Sequence, residues 1–309
     1  MTLLQLRYVL ALDRHRHFQK AADACNVTQP SLSEQVQNLE EELGAILFDR
    51  NSRPITPTEI GEQVITHARS VIAKTEQLET AVQETTGQMA GELRVGILST
   101  ISPYLMPLVI APFSDRYPDV SLIFRELLAG QIIDHLQRDL LDVGLISSPP
   151  SSSRGITEQI LFEEPLVGYV APGHRLYEHE TLRIEDLHRD DLWLMSEGHR
   201  FREHTLQLLK GEGPEDSNQT VVQFESGNLE TLQRLVDRGY GMTLLPWLAV
   251  QEEGSHAPGS VRPFEGKPPT RTIRLVYPEV IVKRHLVRAF ASTVRDAVAP
   301  VLPDRFISE

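Results

Sequence analysis

The chain has 309 residues, 40% of them apolar, and its 43 Asp and Glu outnumber 30 Lys and Arg for a formal net charge of −13. That length fills two or three domains, the acidity argues against indiscriminate nucleic-acid binding, and no apolar run approaches the roughly 20 residues that cross a bilayer. A lone cysteine, Cys25, rules out an internal disulfide and fits a reducing compartment.

In the opening stretch MTLLQLRYVLALDRHRHF the positive charges follow the apolar run, the reverse of a secretory leader. Leu3, Leu6, Val9 and Leu10 recur at helical spacing, so a first helix of a cytoplasmic protein is expected. Phe18, Ala21, Ala22 and Cys25 continue that period, and small alanines let a second helix come close. Asn26-Val27-Thr28 breaks it; Thr28 or Gln29 suits an N-cap, and Pro30 suits the first turn of a new helix. There Leu32, Val36, Leu39 and Leu43 form one stripe. Pro30, Glu34, Gln37 and Asn38 lie opposite with Ser31 near the edge, and Gly44 closes the helix. Two helices about a short turn, apolar behind and polar in front, describe a helix-turn-helix; the alternative is a helical hairpin whose polar face meets only water. LFDRNSRPITPTEIG then reads as a wing: the Asp49-Arg50 pair, a turn, an extended piece at Pro54-Ile55 and a cap before another helix.

The run FQKAADACNVTQPSLSEQVQNLEEELGAILFDR, followed by Thr56, Gly61 and a long helix, resembles the LysR-type transcriptional regulators. The resemblance implies a multidomain α and α/β chain: a winged helix-turn-helix over 1–58, a linker and dimerisation helix with a hinge over 59–90, and a regulatory domain over 91–309. That domain is expected to be periplasmic-binding-protein-like, with two α/β subdomains, I at about 91–163 and 269–309 and II at about 164–268. The expected partners are double-stranded DNA, a second copy of the chain through the linker helix and further copies to a tetramer, a small-molecule effector, and RNA polymerase. No membrane, metal or cofactor is expected.

Gln29, Pro30, Ser31, Ser33, Glu34 and Gln37 are placed at base edges or phosphates, and Arg50 and Arg53 on the DNA backbone, which positions without reading sequence. A carboxylate can accept from cytosine N4 and an amide can pair with adenine. The charge is awkward: among residues 1–58, Arg7, Arg14, Arg16, Lys20, Arg50 and Arg53 are outnumbered by Asp13, Asp23, Glu34, Glu40, Glu41, Glu42 and Asp49. Relatives usually carry a basic residue near Glu34 or Gln37, and this chain does not.

From Thr58 to about Gln88 one helix is expected, with Ile60, Val64, Val71 and Leu78 at coiled-coil spacing and His67, Lys74 and Ala81 between them. A second copy is the natural partner of such a stripe; packing on its own domain is the alternative. Two recognition helices share the cost of association, which answers the weak charge. Gly87 to Gly91 reads as the hinge.

Strands and helices then alternate, as for a parallel sheet flanked by helices. Strands are expected at Glu92–Ile97, Val120–Glu126, Leu141–Ser147, Leu166–Ala171, Trp193–Met195, Val221–Phe224, Met242–Leu245 and Ile273–Tyr277. Helices are expected at Ser102–Tyr117, Gln131–Leu140, Arg200–Leu209, Leu229–Arg238 and Lys283–Ala297. Ligands of such sheets sit at carboxyl ends of strands, which selects Ser99, Thr100, Ser147, His199, Arg200 and Ser226 as effector contacts, with helix capping as the competing role for Ser99 and Ser226.

RHRHFQKAADAC, SPYLMP, SEGHRFREH, SGNLETLQRLV and GYGMTLLPWLAV resemble the OxyR-type peroxide sensors within that family. Such sensors carry a reactive cysteine after the histidine and a resolving one nine residues on; here those positions hold Arg200 and Leu209. Without a thiolate there is no sulfur chemistry to respond to peroxide. A guanidinium in that place points to an anionic effector, or to a regulator locked in one state. No GxGxxG, phosphate loop, HExxH or GxSxG occurs, so no catalytic residue is assigned and an enzyme is not expected. A solute-binding protein would share the C-terminal fold but would need a leader and would have no use for residues 1–58. Replacing Arg53 by Ala is expected to weaken DNA binding on all sequences alike and to flatten its salt dependence; an altered base preference in a binding-site selection would contradict that role.

Overall fold

A computed structural model describes residues 1–86, 89–149, 155–188, 192–209, 226–251, 261–279 and 283–303, with side chains of the linker helix described through Thr75 and at Leu78. The expected strand at 221–224, the first residues of the hinge (87 and 88) and the Ala81 side chain lie outside the described residues.

Helix α1 (Leu3–His15) begins with a capping box, Thr2 Oγ1 accepting from Gln5 N at 3.2 Å and Gln5 Oε1 accepting from Thr2 N at 2.8 Å. Its buried face is Leu6, Tyr8, Val9 and Leu12, whereas Leu3 faces outward with Leu4. In α2 (Phe18–Ala24) the fully buried Ala21 and Ala22 let neighbouring helices approach. In α3 (Gln29–Leu43) the Thr28 hydroxyl caps Ser31 N and Gly44 ends the helix at φ +65°, the left-handed region open to glycine. Leu32, Val36 and Leu39 are buried as expected, but Leu43 is not. Glu40 is buried instead, because its carboxylate accepts from the backbone N–H of Leu47 (2.8 Å) and Phe48 (3.3 Å) and from Arg50 Nη2 (2.7 Å). The wing strands β1 (Phe48–Asp49) and β2 (Thr56–Pro57) pair antiparallel.

Helix α4 (Glu59–Thr86) is capped by Thr58, whose hydroxyl accepts from Gly61 N at 3.0 Å. It has two apolar faces. Ile65, Ala68 and Ile72 close the core of the reader, while Ile60, Val71 and Leu78 are 48%, 41% and 71% exposed.

The regulatory half starts with β3 (Gly91–Ile97), α5 (Ser102–Arg116), β4 (Val120–Glu126), α6 (Ala129–Gln137) and β5 (Val143–Ile146). It continues through β6 (Ile156–Val170), β7 (Leu192–Trp193), α7 (Arg200–Leu208), α8 (Leu229–Asp237), β8 (Met242–Pro246), β9 (Val261–Arg262), β10 (Thr270–Pro278) and α9 (Arg284–Val298). The strands run in the order β4-β3-β5-β10-β6-β8-β7, with β9 beside β6. The sheet is mixed, not parallel as expected: β4-β3-β5 and β7-β8 are parallel, but β10 runs against β5 and β6, and β6 runs against β8. Residue alternation encodes which face is buried and not which way a neighbour runs. Strand β6 also starts ten residues earlier than expected, since the polar Thr157, Glu158 and Gln159 mask its first half.

Two cores result, one under β3, β4, β5, α5 and α9, the other under β8, α7 and α8. Strands β6 and β10 cross between them. Strand β6 pairs with β10 as far as Pro165 and with β8 from Leu166, and beside that change Glu164 lies opposite Arg271. Their side chains are 1% and 2% exposed and bonded, Arg271 Nε to Glu164 Oε2, at 2.8 Å. Glu164 Oε1 also accepts from Leu248 N at 2.8 Å, and Arg271 Nη1 donates to Thr100 O at 3.1 Å. The guanidinium lies 5.7 Å from the centroid of the Phe201 ring. Leaving one of two dry charges unpaired costs about 3–5 kcal/mol. Arg271→Met is therefore expected to lower the urea-unfolding free energy of the full chain by about that much, and adding Glu164→Leu to recover part of the loss; a change under 1 kcal/mol would show the pair to be hydrated.

Candidate effector cleft and nucleic-acid interface

On the outer face of α3, Pro30, Ser31, Glu34 and Gln37 are exposed, and Gln29 and Ser33 are half-buried at its margin. Gln37 Nε2 donates to Glu41 Oε1 at 3.0 Å. In the wing Arg53 is exposed. Arg50 is bound within the head: it pairs with Glu40, and its guanidinium lies 5.6 Å from the Phe18 ring centroid. Its charge is locally compensated. Asp13 and Glu40 are buried and ion-paired, whereas Asp23, Glu34, Glu41, Glu42 and Asp49 stay exposed. Cys25 is half-buried, and burial pushes its thiol up, away from thiolate.

In the regulatory domain the chain ends of three elements meet. Ser99 and Thr100 follow β3, Ser147 follows β5, and Gly198, His199 and Arg200 lead into α7; Leu98, Leu127, Leu128, Ala129 and Phe201 complete the wall. Five of the six expected effector residues thus line one cleft. Ser226 does not: its hydroxyl donates to Asn228 O (2.9 Å) and accepts from Asn228 N (3.1 Å), and its backbone bridges Met195. It holds the turn behind the cleft, a local bonding habit of serine.

The lobes touch across the cleft. Ser99 Oγ donates to Gly227 O at 3.3 Å, and the turn lies against the imidazole so closely that a Cβ at 227 would meet His199 Nε2 at 3.4 Å. A cavity of about 10 Å³ remains, room for roughly one water. The N-cap residue of α7, His199, makes no side-chain capping bond, and the first N–H groups of the helix are an electropositive edge. Burial lowers the His199 pKa, which favours the neutral imidazole. Arg200 is exposed and meets Glu203 Oε2 at 3.1 Å one turn on. Such a pair contributes little in water, and a cation in the first turn opposes the helix dipole. Arg200 therefore has no evident stabilising role in α7.

Sequence reasoning missed Arg271 and Glu164 beneath this cleft. A signal existed: Arg271 shares its alternation with the buried Ile273 and Leu275, and a charge on a core face needs a buried partner. The wall from Leu127 to Ala129 carries no such signal: it is apolar, with Leu127 and Leu128 ahead of α6 and Ala129 at its first position.

Residues 3–62 match the family model of the bacterial regulatory helix-turn-helix protein, lysR family, and residues 86–299 that of the LysR substrate binding domain. The chain is 31% identical over 302 residues to the hydrogen peroxide-inducible genes activator of Haemophilus influenzae, covering 98% of this chain and 99% of that one. It is 32% identical to the DNA-binding transcriptional dual regulator OxyR of Escherichia coli, covering 90% and 89%. A full-length OxyR variant from Pseudomonas aeruginosa superposes with a TM-score of 0.78 at 31% identity, covering 96% and 98%. An OxyR mutant from Corynebacterium glutamicum with hydrogen peroxide bound gives 0.62 at 28%, covering 97% and 93%. With both of its halves matched in order, and with relatives aligned along nearly its whole length, this chain belongs to the LysR family of DNA-binding transcriptional regulators and is OxyR-like within it.

Proposed function

We propose that this regulator reads DNA through Gln29, Pro30, Ser31, Ser33, Glu34 and Gln37 of α3 and through the wing arginines, chiefly Arg53, and that a small anion is its effector. The observation that supports the effector is the convergence of Ser99, Thr100, Ser147 and His199 with Arg200 and the start of α7 on one cleft. Hydroxyls, helix N–H groups and a guanidinium together suit an oxyanion or small carboxylate. The relatives' names tie them to hydrogen peroxide. In this chain Arg200 stands in the cleft and Leu209 ends α7, so oxidation of a cleft thiol is not its signal. The division of labour is a reader over 1–58, a linker over 59–90 and a two-lobed receptor over 91–309, its lobes joined near 164 and 269. The protein acts in the cytoplasm without catalysing a reaction; no helix among the described residues is long and apolar enough to cross a membrane.

Regulators of this family bind DNA and act as oligomers. The exposed Ile60, Val71 and Leu78 supply the pairing surface on α4, an apolar stripe that nothing else in the described chain covers. A dimer through this stripe, assembled further into a tetramer that meets RNA polymerase at the promoter, is the working form. Val71→Glu with Leu78→Glu is expected to reduce the sedimentation mass of the full chain and to weaken operator binding at least about tenfold; an unchanged mass would remove the stripe from the interface.

A second reading is favoured by the small cavity and by the Ser99–Gly227 bond: a regulator held in one state, with no ligand. Thermal-shift titration with phosphate, sulfate, nitrate and small carboxylates separates the two. A binding anion should raise Tm, and Arg200→Ala should abolish the rise. Since burial disfavours protonated His199 and an anion favours it, binding takes up a proton. Affinity should accordingly rise as pH falls from 7.5 towards 6, by at most about tenfold per pH unit. Indifference to every anion, with operator binding altered by Arg200→Ala, would establish the locked state.

A further inference from the structure

We propose that α6 is a lever joining the effector cleft to the DNA-reading head, through a docking surface made by Arg138 and Asp139 on the receptor and by Asp13, Arg14 and Arg69 on the head and linker. One end of the helix is in the cleft: Leu127, Leu128 and Ala129 line it, and Leu127 N is tied to Ile97 O at the end of β3 (3.0 Å). The other end lies against α1 and α4. Arg138 Nη2 donates to Arg14 O at 2.9 Å while Arg14 Nε reaches Arg138 O at 3.4 Å. Arg69 of the linker forks between the two halves, giving Nε to Asp139 Oδ2 (3.1 Å) and Nη2 to Asp13 Oδ2 (2.6 Å).

Nine helical residues span roughly 14 Å, and two devices make them move as one body with the sheet. Gly96 and Gly144 leave room for α6 to seat directly on β3 and β5: a Cβ at 144 would meet Ile132 Cγ2 at 2.3 Å, and one at 96 would meet Ile132 Cγ1 at 3.1 Å. Strand β3 ties the far end, since Arg94 Nη1 donates to Asp139 O at 2.8 Å and its fork grips Asp142, which also holds Lys283. A rigid, packed element passes displacement on without absorbing it.

What receives the displacement is close to the DNA surface. Asp13 is almost fully buried and also binds Arg16 at 2.7 Å. Arg16 ends α1, and its carbonyl accepts from Ile55 N of the wing at 3.2 Å. The next residue, His17, caps α2. A shift at Arg138 and Asp139 therefore reaches the wing and the helix-turn-helix through one short turn of chain. Effector-driven change at the cleft would carry the head along with α6 and its sheet relative to the other lobe, in addition to anything the oligomer does.

The inference rests on reading the cleft as the effector site, but its test needs no effector. In the full-length protein, Arg138→Gln with Asp139→Asn removes the docking charges, and asparagine tolerates the left-handed φ of +53° at 139. Hydrogen exchange of the amides at 11–17 should speed up about tenfold, the weight of two or three part-buried polar contacts. Exchange at Leu32, Val36 and Leu39 should not change, which guards against simple unfolding of the head. A wedge at the cleft end, Ala129→Phe, or Ala129→Leu should the larger residue not fold, should alter exchange at 11–17 in the wild-type background and leave it unaltered in the undocked one. Equal protection at 11–17 with and without the docking charges would overturn the proposal, as would a wedge with no effect there in either background or the same effect in both. A chain that transmits the wedge yet binds none of the anions would sink the anionic effector and leave the lever standing.

Discussion

Two charges kept dry at the junction of the lobes organise the receptor. A guanidinium and a carboxylate removed from water survive only when each is matched by fixed partners, and at Glu164 and Arg271 those partners are the elements that shape the cleft. Leu248 N binds the carboxylate, Thr100 O binds the guanidinium, and Phe201 lies beneath it. The pair thus places the loop after β3 and the first turn of α7 relative to the two crossover strands. Any relative motion of the lobes that unpaired these charges would carry the cost of a dry, unmatched charge.

The same economy of charge explains how so acidic a chain presents a DNA-binding head. Two of the seven carboxylates of residues 1–58, Glu40 and Asp13, are turned inward and given structural work. Glu40 holds two backbone N–H groups at the start of the wing, and Asp13 fastens α1 to α4 through Arg69. In both cases an arginine goes with the acid, so the cost of removing Asp13 and Glu40 from the surface is a loss of free cations. The outer face of α3 keeps the uncharged Pro30, Ser31 and Gln37 beside Glu34, and Arg53 is exposed in the wing.

The cleft combines an old frame with altered chemistry. Its position, at the ends of β3 and β5 and the start of α7, belongs to the general logic of open α/β sheets. Its content does not suit sulfur redox chemistry, because the sole thiol sits in the reader and is disfavoured as thiolate. With a cavity of about 10 Å³, the described state is closed. The Ser99–Gly227 bond spans the cleft in this state.

The reader was legible in the residues alone because its signals are local: Thr28 caps the next turn, Pro30 occupies a first turn, Gly44 supplies a left-handed φ, and Leu32, Val36 and Leu39 recur at the period of one helix. That five of the six expected residues line one cleft was legible for a related reason, since strand ends in this class of sheet point to one place. The failures were non-local. Leu43 lost its buried place to Glu40 because backbone N–H groups seven and eight residues on needed an acceptor. Ser226 turned its hydroxyl to Asn228 rather than to the cavity. The direction of β6 and β10, the Glu164–Arg271 pair 107 residues apart and the Arg69–Asp139 contact 70 apart were decided only by tertiary structure. Periodicity records which side of an element is dry, whereas pairing between distant charges depends on which elements the fold brings together.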